Sequence, residues 1–321
     1  MLLDVLALVA GLVALVFAGD KLVQGAVALA ERLRISPLVI GLTIVAFGTS
    51  APELFISLQS ALAGNPGIAI GNVVGSNVAN ILLVLGLPAL IAPLRCHEPG
   101  VDYSNYAMVA ATALFMVLMA GGVLGRVDGA ILFAGLLAFI AFQFDAARKG
   151  RIPPPEIEAA ADPEAMGTRG IAVALLIGLV GLPLGAQLTI MGATGLASAF
   201  GVSDAVIGLT VVAIGTSLPE LITTVMAAIR RENDIAIGNV IGSNVFNILS
   251  IIGITAMVAP MAVPAQIIAT DMWVMAAVTL LLAALTAFRV TLGKAAGGAM
   301  LVAYAAYLVV VYLAGEAAPA A

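Results

Sequence analysis

Residues 41–54 read GLTIVAFGTSAPEL, and residues 208–221 read GLTVVAIGTSLPEL. Eleven of the fourteen positions agree. Further along each copy, residues 68–82 read IAIGNVVGSNVANIL and residues 235–249 read IAIGNVIGSNVFNIL, with thirteen of fifteen in agreement. Both matches share one offset of 167 residues, with no gap between them. Apolar composition can make two segments loosely alike. It does not reproduce a polar pattern such as GTSxPEL or GNVxGSNVxN in a single register. The chain is two copies of one unit.

The composition identifies the solvent of that unit. Of 321 residues, 62% are hydrophobic and 10% are charged, against about 25% charged in soluble domains. A spanning helix takes about 20 apolar residues. The expectation is an all-α integral membrane protein of ten transmembrane helices, built as two inverted five-helix repeats. Spans fall near 2–24, 37–62, 67–92, 105–122 and 127–145, then 170–190, 203–229, 234–260, 270–288 and 295–314. Residues 1–145 form the first repeat and 170–321 the second. Residues 146–169 are a polar linker with a Pro run and mixed charges. The first apolar run has no basic region ahead of it and reads as a retained helix.

An odd number of spans per copy sends the second copy into the membrane from the opposite side. The positive-inside rule tests this. With both termini outside and the linker cytoplasmic, Lys21, Arg32, Arg34, Arg95, Arg148, Lys149, Arg151, Arg169, Arg230, Arg231, Arg289 and Lys294 all face the cytoplasm, and only Arg126 lies outside. The expected location is the plasma (inner) membrane, multi-pass, with the lipid bilayer as partner. Inverted repeats point to a transporter with its site near the midplane. The net charge of −5 argues against nucleic acid as a partner. One cysteine, Cys96, and one histidine, His97, leave no disulfide framework, thiolate cluster or multi-histidine metal site. No cofactor is expected, and nothing marks an oligomer interface.

A carboxylate inside a span costs roughly 2.5–3.5 kcal/mol on insertion scales and is a functional candidate by default. Glu53 and Glu220 sit mid-span at equivalent positions. Facing each other, they need a cation, a shared proton or a basic partner, and no Lys or Arg lies within the central part of any span. The alternative is a protonated structural carboxyl bonded to a neighbouring helix. Pro52 and Pro219 lack an N–H, and their rings disturb the carbonyls of Gly48 and Gly215. Carbonyls freed in this way can point at an ion. Thr49 and Thr216 stand one turn before the glutamates on the same face, and Ser50 and Ser217 add hydroxyls. Such an all-oxygen set suits hard cations. The next span adds a polar stripe, Asn72, Ser76 and Asn80, repeated as Asn239, Ser243 and Asn247, with Asn77 and Asn244 beside it. It reads either as ion-facing or as interhelical glue. Gly71 and Gly75, and Gly238 and Gly242, form small-residue pairs suited to close helix approach.

GTSAPEL with GNVVGSNVAN, repeated as GTSLPEL with GNVIGSNVFN, resembles the two alpha-repeats of the calcium/cation antiporter superfamily, and within it the prokaryotic sodium/calcium exchangers. The resemblance covers the whole chain. It implies that Glu53 and Glu220 bind Ca2+ in competition with Na+, helped by Thr49 and Thr216. It implies that Ser50, Ser217, Ser76 and Ser243 help form sodium sites, with backbone carbonyls of Ala46 and Ala213. It places Asn80 and Asn247 beside the centre of the site. Some members carry Asp at one of these two positions; Asn at both speaks against potassium co-transport.

The leading expectation is antiport of Ca2+ against Na+ by alternating access, with the first and sixth spans, carrying Gly25-Ala26 and Gly192-Ala193, sliding across the core. The alternative is Ca2+/H+ exchange on the same scaffold. A cation channel is disfavoured because channels gather acidic rings about an oligomer axis, whereas this pair lies in one chain. An enzyme is not expected: the one His lies in a loop, and HExxH is absent.

Overall fold

The computed structural model describes residues 1–149, 166–201 and 213–317. Residues 150–165 of the linker, with Arg151 and the acidic Glu156, Glu158, Asp162 and Glu164, lie outside the described residues. So do residues 203–212 of the expected seventh span.

The chain is an all-helical membrane protein. In the first half α1 is Leu2–Leu33 and α2 and α3 are Pro37–Thr49 and Ala51–Leu62. They are followed by α4 (Pro66–Ile91), α5 (Val101–Met119) and α6 (Arg126–Arg148). The second half holds α7 (Thr168–Ala199), α8 (Ala213–Thr216), α9 (Leu218–Ile229), α10 (Asn233–Val258), α11 (Ile267–Ala287) and α12 (Lys294–Ala317). Among the described residues eight helices are long and apolar enough to cross a membrane, or nine when α2 and α3 count as one span bent by 44°. α4 and α10 form the centre: 72% and 89% of their apolar windows are buried, against 22% for α1 and 17% for α12.

α1 runs nine residues past the end expected at residue 24. GAVALAERL holds good helix formers without a breaker, and the helix stops only at Arg34, whose left-handed backbone (φ 55°, ψ 43°) turns its N–H back onto Ala30 and Glu31. Asp20 and Lys21 therefore lie well inside the helix. Asp20 accepts hydrogen bonds from Arg230 Nε and Gln24 Nε2, each 2.7 Å long, and Lys21 donates to Gln24 Oε1 at 3.1 Å.

Close approach rests on two glycine positions. A Cβ at Gly242 would lie 2.7 Å from the Leu42 carbonyl oxygen, so α10 and the second span touch backbone to backbone there. A Cβ at Gly192 would collide with the Leu8 nitrogen and the Asp4 carbonyl oxygen, so α7 lies equally close against α1. At Gly71 and Gly75 an added Cβ meets nothing within 4 Å among the described residues.

Three left-handed turns exchange residue type between the halves. Arg34 (φ 55°) corresponds through the 167-residue offset to Gly201 (φ 77°), Gly64 (φ 80°) to Arg231 (φ 63°), and Gly122 (φ 75°) to Arg289 (φ 53°). The conformation is the same within each pair. Glycine adopts it freely, whereas a side chain there costs roughly 1–2 kcal/mol.

Two short ladders close the ends of the bundle, and each joins one half to the other. β1 (Leu94–Arg95) pairs antiparallel with β4 (Thr291–Leu292), and β2 (Val123–Leu124) with β3 (Met261–Ala262). The first is extended by Cys96 N–H to the Val290 carbonyl at 3.1 Å, the second by Val263 N–H to the Gly122 carbonyl at 2.9 Å.

Candidate functional site

The helix breaks sit where GTSxPE places proline. Ser50 (φ −82°, ψ 6°) and Ser217 (φ −84°, ψ 4°) each leave the helical region, and new helices begin at Ala51 and Leu218. Pro52 and Pro219 occupy the first turns, where a missing N–H costs nothing. Glu53 and Glu220 each become the third residue of a helix, inside the positive field of its N-terminus. Both are buried, Glu53 at 1% exposure and Glu220 at 0%. Glu53 feels the charge of Glu220.

The two carboxyls are held differently. Glu220 Oε1 accepts from Ser50 Oγ at 3.0 Å and from Ser243 Oγ at 3.5 Å. Glu220 Oε2 and both oxygens of Glu53 have no hydrogen-bond partner among the described residues. An unpartnered buried carboxyl oxygen is costly, which marks these three as the oxygens best placed to take a cation or a proton.

Thr49 joins the halves. Its hydroxyl lies 3.2 Å from Asn239 Oδ1, 3.3 Å from Ser243 Oγ and 3.3 Å from the Ala46 carbonyl oxygen. That carbonyl also accepts from Ser50 N–H at 3.1 Å; the single Thr49 proton serves only one of the oxygens around it at a time. Ser76 is buried on α4. Thr216 is buried, as is Ser217, whose Oγ has no hydrogen-bond partner among the described residues. Ala213 opens α8.

The asparagines divide into two sets. Asn72 Nδ2 donates to the Glu53 carbonyl at 3.3 Å and to Ser57 Oγ at 3.0 Å. Asn239 Nδ2 donates to the Glu220 carbonyl at 3.2 Å and to Thr224 Oγ1 at 3.0 Å. These two hold the backbones of the carboxylate helices. The second set links the halves directly: Asn80 Nδ2 donates to Asn244 Oδ1 at 3.3 Å, and Asn247 Nδ2 donates to Asn77 Oδ1 at 3.1 Å. Sequence reasoning missed Ser57 and Thr224. Both follow a motif glutamate by four residues at repeat-equivalent positions, and that signal is present in the chain.

The arrangement is a buried, oxygen-rich centre with two carboxyls, one from each of two related halves. A family model described as sodium/calcium exchanger protein matches residues 3–144 and 170–313. The chain belongs to the sodium/calcium exchanger family. Among its relatives, sodium/calcium exchanger MaX1 of Methanosarcina acetivorans is 32% identical over 342 residues, covering 96% of this chain and 98% of that protein. Inner membrane protein YrbG of Escherichia coli is 36% identical over 289 residues, covering 89% of each. A solved structure of the sodium-calcium exchanger NCX_Mj, soaked with 2.5 mM Na+ and 0.1 mM Ca2+, matches with a TM-score of 0.83 at 30% identity over 96% of this chain and 98% of that one. This exchanger-family chain is a membrane cation antiporter.

Proposed function

We propose that the protein exchanges Ca2+ for Na+ across the membrane by alternating access, at a site centred on Glu53 and Glu220. The observation that carries this reading is the pair of buried carboxyls with three oxygens lacking a hydrogen-bond partner among the described residues, surrounded by hydroxyls and amides. Ca2+ takes about 6–8 oxygen ligands, and two opposed carboxylates offset its charge. Thr49 and Thr216 assist Glu53 and Glu220. Ser50, Ser76, Ser217 and Ser243 contribute to sodium sites, with the carbonyls of Ala46 and Ala213. Asn80 and Asn247 flank the centre. Sodium as the coupling ion is favoured by the likeness to relatives named as sodium/calcium exchangers.

The reading includes ten spans in two inverted repeats, 1–145 and 170–321, joined by a cytoplasmic linker at 146–169, with both termini outside. The three exchanged turns support this orientation. Within these three pairs arginine occupies the left-handed position on the face that the topology assigns to the cytoplasm, and glycine on the other. The positive-inside bias outweighs local backbone preference there.

The test is radioactive Ca2+ uptake into proteoliposomes, driven by an outward Na+ gradient or, without sodium, by an outward H+ gradient. Sodium-driven uptake supports the proposal, and uptake driven by protons alone replaces it with Ca2+/H+ exchange on the same carboxyls. Glu53→Gln and Glu220→Gln are each expected to abolish Ca2+ flux while inserting normally, with Thr49→Val and Thr216→Val milder. Substantial flux by either folded Gln variant would sink the assigned site.

A further inference from the structure

The central asparagines are arranged as two directed chains, and each begins at a methionine. Asn77 Nδ2 lies 3.7 Å from Met275 Sδ, and Asn247 Nδ2 donates in turn to Asn77 Oδ1 at 3.1 Å. Asn244 Nδ2 lies 3.6 Å from Met108 Sδ, and Asn80 Nδ2 donates to Asn244 Oδ1 at 3.3 Å. Both chains end on a buried oxygen without a partner among the described residues, Asn247 Oδ1 in one and Asn80 Oδ1 in the other. The methionines are repeat-equivalent, as are the asparagines, and all six side chains are at most 2% exposed. Asn247 stands one turn beyond Ser243, whose hydroxyl touches both Glu220 and Thr49.

An amide has a donor end and an acceptor end of nearly equal shape, so each chain could run in either direction. A thioether sulfur accepts weakly and cannot donate. It favours the amide NH2 facing it and disfavours the amide oxygen. That choice at Asn77 turns its oxygen to Asn247, which must then present its NH2 to Asn77 and its oxygen to the other side. The same logic runs from Met108 through Asn244 to Asn80. Reversed, the chains would aim N–H groups at a place where a cation must sit.

We propose that Met108 and Met275 are positioning residues that set the direction of these two amide chains, so that Asn80 and Asn247 offer carbonyl oxygens, not amide protons, to the transported cation. The proposal rests on the cation site centred on Glu53 and Glu220.

The experiment compares Ca2+ exchange by the full chain in proteoliposomes across four preparations beside wild type: M108L/M275L, norleucine-labelled protein, selenomethionine-labelled protein and Glu53→Gln. Norleucine replaces sulfur by a methylene at the same volume, so packing is kept while the acceptor is lost; selenium keeps the acceptor. The half-saturating Ca2+ concentration is expected to rise about threefold in M108L/M275L and in the norleucine protein, the scale of one weak hydrogen bond. Maximal rate is expected to hold, and the selenomethionine protein to match wild type. A wild-type half-saturation in the norleucine protein, or a fall in maximal rate alone, overturns the proposal, even where M108L/M275L fails to fold. Loss of transport in Glu53→Gln alongside that result leaves the cation site standing and removes only the methionine role; wild-type transport by Glu53→Gln removes both.

Discussion

Replacing Asn239 by leucine separates a residue that holds the site from one that merely fills space. Leucine keeps the branched outline of asparagine but is apolar and larger, so the change deletes every polar contact and adds some bulk. Asn239 donates to the Glu220 carbonyl and to Thr224, and it accepts from Thr49. Its counterpart Asn72 donates to the Glu53 carbonyl and to Ser57. Hydrogen bonds between membrane helices average about 0.6 kcal/mol. The leucine change at 239 therefore costs about 2 kcal/mol. Denaturant titration of the detergent-solubilised protein measures this, and Ca2+ half-saturation in proteoliposomes reads the effect on the site. Asn239→Leu is expected to be less stable than wild type and to bind Ca2+ more weakly, because it loosens the first turn that carries Glu220, and Asn72→Leu is expected to do the same through Glu53. Wild-type stability and half-saturation in the folded Asn239→Leu protein would show that these contacts do not set the energetics.

Two further tests concern regions away from the centre. Changing Arg34, Arg231 and Arg289 together to glycine relieves three left-handed side chains at roughly 1–2 kcal/mol each, less about 0.5–1 kcal/mol each for glycine's greater freedom in the unfolded chain. The triple variant is expected to be more stable to denaturant than wild type, while terminal reporter fusions show a larger fraction of misoriented chains. A second test uses pH. Burial raises the Glu98 carboxyl above its ordinary range, although Arg95 and His97 oppose this. A raised folded value means the protonated form is the better fit. Its contribution to stability is complete at pH below the ordinary carboxylate range and is lost as pH climbs through the folded value. Glu98→Gln is expected to flatten the stability profile on the acid side of neutrality, and an unchanged slope would count against burial as the cause.

Much of this architecture is written into the chain because polar motifs repeat inside an apolar background. The helix breaks at Ser50 and Ser217 follow from the position of proline, and the burial of Glu53 and Glu220 follows from their mid-span placement. Other features depend on which helix crosses which. The stripe of Asn72, Ser76 and Asn80 gave no means of telling a backbone clamp at Asn72 from an inter-half pair at Asn80, since that depends on the neighbours that the crossing supplies. Met108 and Met275 looked like ordinary apolar residues; only the meeting of α5 with α10, and of α11 with α4, makes them acceptors. α1 runs to Leu33, past the expected end near residue 24, and keeps the charged Asp20 inside the helix. Arg230, from the other half, provides a partner that local sequence does not show.

The contacts between the halves come in reciprocal pairs. Asn77 meets Asn247 while its copy Asn244 meets Asn80, and the ladder of Leu94–Arg95 with Thr291–Leu292 is matched, one residue out of register, by that of Met261–Ala262 with Val123–Leu124. Contacts in which one residue meets a second, and the copy of the second meets the copy of the first, are those of a two-fold homodimer. In the proposed topology a single five-helix chain, present in both orientations in one bilayer, would carry the central part of this interface. Fusing two copies into one polypeptide adds proximity, and it frees each copy to diverge: left-handed arginines that stand where the other copy has glycine are asymmetries that a true dimer of identical chains could not hold.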